Sequence, residues 1–322
     1  MFDTVRRKRP VREGGELIQV DWYTKKILGK RPLYPMQPDI TSDSNPRGNS
    51  RGGKGILIKG NQSWVGTYHT IYIFDRNLNM IKQLTHPLFV NIHEMCFAGQ
   101  NIWVSATSID CAVLIDQKGK TLDTWWPRED PLLQKKFGLS PLSIDKSADN
   151  RMRFVHMQMS QNPGHTHLNS VVSWEGHVYA LLNRLGAFVR FKPDTQIVLH
   201  DHALRGAHSP RVMDNGQILA VCSSFHKEIR FYRLASGKCI HTINLLQFPR
   251  IQKIEENNPD QPFNKTIFVR GLDILDSQRI LAGITPASIL EIDIGRNELV
   301  DYFQYSMEVG DAVHGLGHYE YE

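Results

Sequence analysis

The chain has 322 residues, 41% of them hydrophobic and 22% charged, with a formal net charge of +5. This composition excludes a low-complexity or strongly polyionic chain and describes a globular one with ample material for a core. No apolar run approaches the roughly 18 residues of a membrane-spanning helix, and the N-terminus lacks the apolar segment of a secretory signal, so a cytoplasmic location and no membrane partner are expected.

The N-terminal run Arg6-Arg7-Lys8-Arg9, with Arg12, reads as a flexible, solvated basic arm over residues 1–13. No nucleic-acid-binding motif accompanies it, so no nucleic-acid partner is expected. Glu16 to Trp22 alternates in the manner of a strand, with Lys25 to Leu28 returning as the other half of a hairpin. Pro32 to Arg51, rich in Pro, Asp, Ser, Asn and Gly, is a loop.

From residue 54 a repeat takes over. Gly55-Ile56-Leu57-Ile58, Ser63-Trp64-Val65-Gly66-Thr67, Thr70 to Asp75 and Met80 to Leu84 are four short strands separated by turn residues. The same order recurs over 93–126, 167–200, 208–244 and 270–304. A period of about 40 residues with four strands per unit is the mark of a β-propeller. Two insertions interrupt it, 127–163, with a helix expected around Pro131–Phe137, and the polar 247–265. Val313 to Tyr319 resembles a first strand without successors, and the hairpin Leu17–Leu28 resembles third and fourth strands without a first. Joined, they close the ring. The expectation is one all-β domain over 1–322, a closed propeller of six four-stranded blades whose last blade draws on both termini.

The first strand of each blade lines the central channel of a propeller. The equivalent positions there are Lys54, His93, His167, His208, Arg270 and His314, with Arg51 as an alternative to Lys54. Converging imidazoles bind divalent transition metals, so His93, His167, His208 and His314 are the candidate ligands for zinc, iron or manganese. The forked guanidinium of Arg270 suits a bidentate grip on an anion, and Lys54 is a second substrate-binding candidate. Glu94 and His165 are the acid–base candidates. Against this stands the ordinary use of histidine as a hydrogen-bonded structural residue. His69, His86, His177, His226 and His241 are expected at the surface. Cys96, Cys111, Cys222 and Cys239 lack CxxC spacing and read as reduced thiols.

The segments His167-Leu168-Asn169, Ala207-His208-Ser209-Pro210-Arg211 and Val269-Arg270-Gly271-Leu272 resemble the blade-opening HLN, HSPR and RGL motifs of a bacterial propeller family of unknown function. The resemblance covers roughly residues 54–304; Ser170 stands where that family often carries glycine. It implies the fold and no reaction. More distantly, the layout is similar to the peptide-amidating lyases, which hold zinc with channel histidines beside an arginine. It is also similar to the aryl sulfotransferases, which use a channel histidine as nucleophile. Three functional expectations follow. One is a metal-dependent lyase, isomerase or hydrolase acting on a small anionic substrate. The second is metal-free transfer through a nucleophilic histidine. The third is a non-catalytic propeller that binds a ligand or protein.

Overall fold

A computed structural model describes residues 2–6, 15–33, 52–155, 164–258 and 266–319. It is an all-β propeller built from six four-stranded antiparallel sheets. Five consist of consecutive strands. The first holds β4 (Ile56–Lys59), β5 (Gln62–Gly66), β6 (Thr70–Asp75) and β7 (Met80–Thr85). The second holds β8 (Ile92–Ala98), β9 (Asn101–Ala106), β10 (Cys111–Ile115) and β11 (Thr121–Trp125). The third runs from β12 (Leu168–Trp174) to β15 (Gln196–His200), the fourth from β16 (His208–Met213) to β19 (Lys238–Asn244), and the fifth from β20 (Gly271–Ile274) to β23 (Glu298–Gln304).

The remaining sheet joins the two ends of the chain in the order β24 (Ala312–Gly317), β1 (Phe2–Arg6), β2 (Gly15–Val20) and β3 (Ile27–Leu33). The expected flexible arm over 1–13 is corrected here, because residues 2–6 form β1 and pair with both β24 and β2. β1 supplies the second strand of that sheet, which the sequence pattern left unassigned. The remainder of the basic run, from Arg7 onward, lies outside the described residues.

Each sheet presents its first strand inward, and the inner strands contact one another in the cyclic order β4, β8, β12, β16, β20, β24 and back to β4. A hydrophobic cluster fills every interface between neighbouring sheets. Ile71 and Ile73 meet Ile92 and Val104 between the first two, and Leu17 meets Ile56 and Val65 where the composite sheet meets the first. Full burial of such a side chain contributes about 1.5–3 kcal/mol, so closing the ring buries apolar faces that an open array would leave wet. Two glycines permit the close approach. A Cβ on Gly55 would lie 2.7 Å from the carbonyl oxygen of His93, and one on Gly283 would lie 2.3 Å from Val313 Cγ1.

The connections that lead into the inner strands alternate around the ring. Those at 34–55, 126–167 and 245–270 are long; those at 86–91, 201–207 and 305–311 are short. The first insertion carries the expected helix, α1 (Pro131–Phe137), capped by Asp130, which accepts from the amides of Leu132 and Leu133. The second carries a helix the sequence reading did not anticipate, α2 (Pro249–Glu256), whose Ile251 is buried against the fourth and fifth sheets. No helix among the described residues is long and apolar enough to cross a membrane.

Candidate functional site at the channel mouth

Three inner strands open irregularly. Asn91 (φ 62°), His167 (φ 54°) and Ser209 (φ 47°) adopt left-handed backbone conformations. The pairing register slips beside them, at Ile92/Met95, Leu168/Ser170 and His208/Arg211. Such bulges turn side chains out of the regular alternation, and here they accompany the turn of histidines toward the axis.

His93, His167, His208 and His314 come together. Ring centroids lie 5.4 Å apart for His167 and His93, 5.8 Å for His93 and His314, and 5.9 Å for His314 and His208. All but His167 are buried in the residue sense, and the His167 ring itself is enclosed. Burial disfavours the imidazolium form, and the neighbouring Lys54 ammonium and other imidazoles add to it. The pKa of His93 is held well below its ordinary value, and that of His167 falls to about 3. Both rings are neutral at physiological pH.

Two tautomers are decided by the partners. His93 Nδ1 meets the carbonyl oxygen of Asn91 at 3.2 Å, so Nδ1 carries the proton. Ser224 Oγ donates to the Val269 carbonyl at 2.6 Å, so at 2.8 Å it accepts from His208 Nδ1. In the neutral His93 ring, Nε2 keeps its lone pair. Among the described residues, however, no group of three or more His, Cys, Asp or Glu side chains is placed to hold a metal ion.

The other expected members fall in different places. Lys54 is buried and hydrogen-bonds Asn91 Oδ1 beside His93. Arg51 lies outside the described residues. Arg270 stacks over Phe268 at 4.5 Å, and Phe268 in turn meets the His208 ring edge-on at 5.8 Å, so the guanidinium reaches the cluster through an aromatic ring. His165 does not stand ready for acid–base work. Its Nε2–H donates to the Thr107 carbonyl at 2.9 Å, and its Nδ1 accepts the His167 amide at 3.2 Å. It braces His167. Glu94 is buried, its pKa raised by desolvation against the opposing pull of Arg211 and Ser209. It accepts from Ser209 Oγ at 2.7 Å.

Several residues that shape the site were not anticipated. Asp110 accepts from the Thr166 amide and hydroxyl and the Leu168 amide, and so sets the path of the chain through His167. Asn169 and Asn183 both donate to the Ala207 carbonyl just before His208. Asn169 and Ser209 stand inside the recurring segments and were legible as neighbours of a histidine; Asp110, Asn183 and Ser224 lie on turns that carry no such signal. The outlying histidines need one correction, since His69 is buried, with its pKa lowered to about 4 chiefly by desolvation. Cys96, Cys111 and Cys222 are buried free thiols and Cys239 is exposed.

No family model matches this chain, and no curated protein matches it in sequence. Its fold is similar to that of a protein of unknown function from Bacteroides caccae, with a TM-score of 0.56 over 97% of this chain and 99% of that one, at 11% identity. A WD40 β-propeller domain matches with a TM-score of 0.43 at 10% identity, over 79% of this chain and 69% of that one. A computationally designed protein matches with the same TM-score and identity, over 89% of this chain and 68% of that one. The likeness to the Bacteroides protein extends to the fold and to nothing finer.

Proposed function

We propose that the chain is a six-bladed propeller enzyme of the HLN, HSPR and RGL type, whose channel histidines hold a divalent transition metal and act on a small anionic substrate. The observation that carries this reading is the pair of tautomers at His93 and His208. Metal-binding histidines donate one ring N–H to a protein acceptor and offer the other nitrogen to the ion, and they bind in the neutral form. His93 meets both conditions, and His208 meets the first through Ser224. Binding would require the rings, joined by contacts of 5.4–5.9 Å, to swing inward until three or four nitrogens lie about 2.0–2.1 Å from one ion. A zinc, iron or manganese ion would then polarise a carbonyl or activate water. Lys54, beside His93, and Arg270, stacked on Phe268 against His208, are the cations that would face an anionic substrate; the chemistry would be of lyase, isomerase or hydrolase type.

A non-catalytic, ligand-binding propeller is the second reading. It is favoured by the engagement of both ring nitrogens of His165 and of the Glu94 carboxyl in structural hydrogen bonds. Metal-free transfer would require a neutral His208 ring with Nε2 as the nucleophile. Elemental analysis of the purified protein separates these readings. Near one equivalent of a transition metal in the wild type, lost in a folded His208→Ala variant, supports the first. Protein that stays metal-free after incubation with zinc, iron(II) and manganese(II) removes it.

A further inference from the structure

The same six inner strands open at their far ends into a second space. A cavity of about 710 Å³ is lined there by residues from every sheet, among them Ile58, Phe97, Val172, Arg211, Asp273 and Leu316. None of the four channel histidines lines it. Its walls set apolar side chains, Ile58, Phe97, Val172 and Leu316, among polar surface, and its charged groups are few. Asp273 is already engaged by His318 Nδ1 at 2.7 Å. Arg76 packs over the Tyr319 ring at the rim.

Arg211, the last residue of the His208-Ser209-Pro210-Arg211 segment, has no role in the histidine cluster. It projects into this cavity while its NH1 donates to the Pro210 carbonyl at 3.0 Å. Among the described residues the carboxylate beside it is Glu94 Oε2 at 4.0 Å, beyond hydrogen-bond distance. Glu94 is meanwhile held by Ser209. A guanidinium offers five N–H donors in a planar fork, so most of this one's donors are left for something in the cavity.

We propose that this mouth of the channel is a second binding site, for a small organic carboxylate with an apolar body. The carboxylate would lie on the free edge of the Arg211 fork, where bidentate geometry favours a planar oxyanion. The body would lie against Ile58, Phe97, Val172 and Leu316. The volume falls in the usual range for small-molecule sites, which combine apolar walls with a few convergent polar groups. Asp273 is held by its hydrogen bond to His318, and Arg211 and Arg76 are the cations of the lining. The site stands whether or not the histidines bind metal.

Calorimetric titration of the full chain with benzoate, with octanoate, and with benzyl alcohol and inorganic phosphate as comparisons tests the assignment. One of the two carboxylates is expected to bind with a dissociation constant below about 1 mM and one-to-one stoichiometry. Benzyl alcohol and phosphate should bind more weakly by at least about tenfold, since one lacks the charge and the other the apolar body. Arg211→Gln should weaken the carboxylate by about 10- to 100-fold, and Val172→Trp, which fills the cavity, should have a similar effect. His208→Ala should leave it unchanged, which distinguishes this mouth from the histidine cluster. Thermal unfolding confirms that each variant is folded. Failure of both carboxylates to bind, tighter binding of phosphate, or equal affinity in folded Arg211→Gln and Val172→Trp proteins would each overturn the proposal.

Discussion

Glu94 Oε1 accepts a hydrogen bond from Ser209 Oγ at 2.7 Å, linking the inner strands of the second and fourth sheets past the third. Each of these residues directly follows a channel histidine, so the bond ties the backbone of His93 to that of His208. Because Glu94 is enclosed, desolvation raises its pKa. Below the ordinary carboxylate range both folded and unfolded chains are protonated, and the group contributes nothing to the pH dependence of stability. Above it the unfolded chain ionises freely while the folded chain must retain a proton or bury a charge, so stability falls as pH rises. Glu94→Gln keeps an acceptor for Ser209 and removes the titration. Its melting temperature should equal the wild type's near about pH 4 and exceed it at about pH 8. A uniform offset at both pH values would contradict the role of burial.

His167 gives the opposite slope. Its folded pKa, about 3, lies below the ordinary 6.5, so between those values the unfolded chain binds a proton that the folded one refuses. Stability is therefore lost as pH falls from 6.5 toward 3, at up to about 1.4 kcal/mol per pH unit for a single group. Replacement with asparagine removes the titration and suits the left-handed backbone at this position. Denaturant titrations across that range should show a shallower acid slope for His167→Asn than for the wild type. Parallel slopes would mean that the ring protonates without cost.

Ser224→Ala deletes the acceptor of His208 Nδ1–H. A buried donor left without its partner costs about 1–3 kcal/mol, and the tautomer is no longer imposed. Nitrogen chemical shifts of the His208 ring should report Nδ1–H in the wild type and a mixture of tautomers, or the Nε2–H form, in the variant. An unchanged ring spectrum would show that Ser224 does not set the tautomer.

Gly55 allows the first and second inner strands to approach at the cluster. Adding a methyl group brings it to 2.7 Å from His93 O and 2.8 Å from Glu94 Cα, both backbone atoms with little room to yield. Gly55→Ala should destabilise the fold by about 1–3 kcal/mol and perturb the ring resonances of His93 more than those of His208. A neutral effect on the denaturation midpoint would show that the strands separate without penalty.

Much of this molecule is written locally. The four-strand period is carried by alternation within short segments and by turn residues between them. The cluster was legible because His93, His167, His208 and His314 occupy the same point of a repeated local pattern, and repetition places equivalent residues about one axis. The helix α1 was equally local, with Asp130 as its cap, Pro131 at its first position and Gly138 at its end.

What the sequence left open depends on groups that meet only through space. The strand β1 is too short to signal itself by alternation, and what orders it is pairing with β24 from the opposite end of the chain. His165 and His167 are two residues apart and look equivalent in sequence; the Thr107 carbonyl, brought in from the neighbouring sheet, makes one a brace and leaves the other in the cluster. Arg211 lies on an inner strand and Arg270 directly before one. Pairing and packing, which no local pattern encodes, set Arg270 over Phe268 and Arg211 in the far cavity. Residue type and register along each strand are properties of the chain. Desolvation, tautomer and the partner of each charge are properties of the closed ring, because they depend on distances that exist only once the six sheets have met.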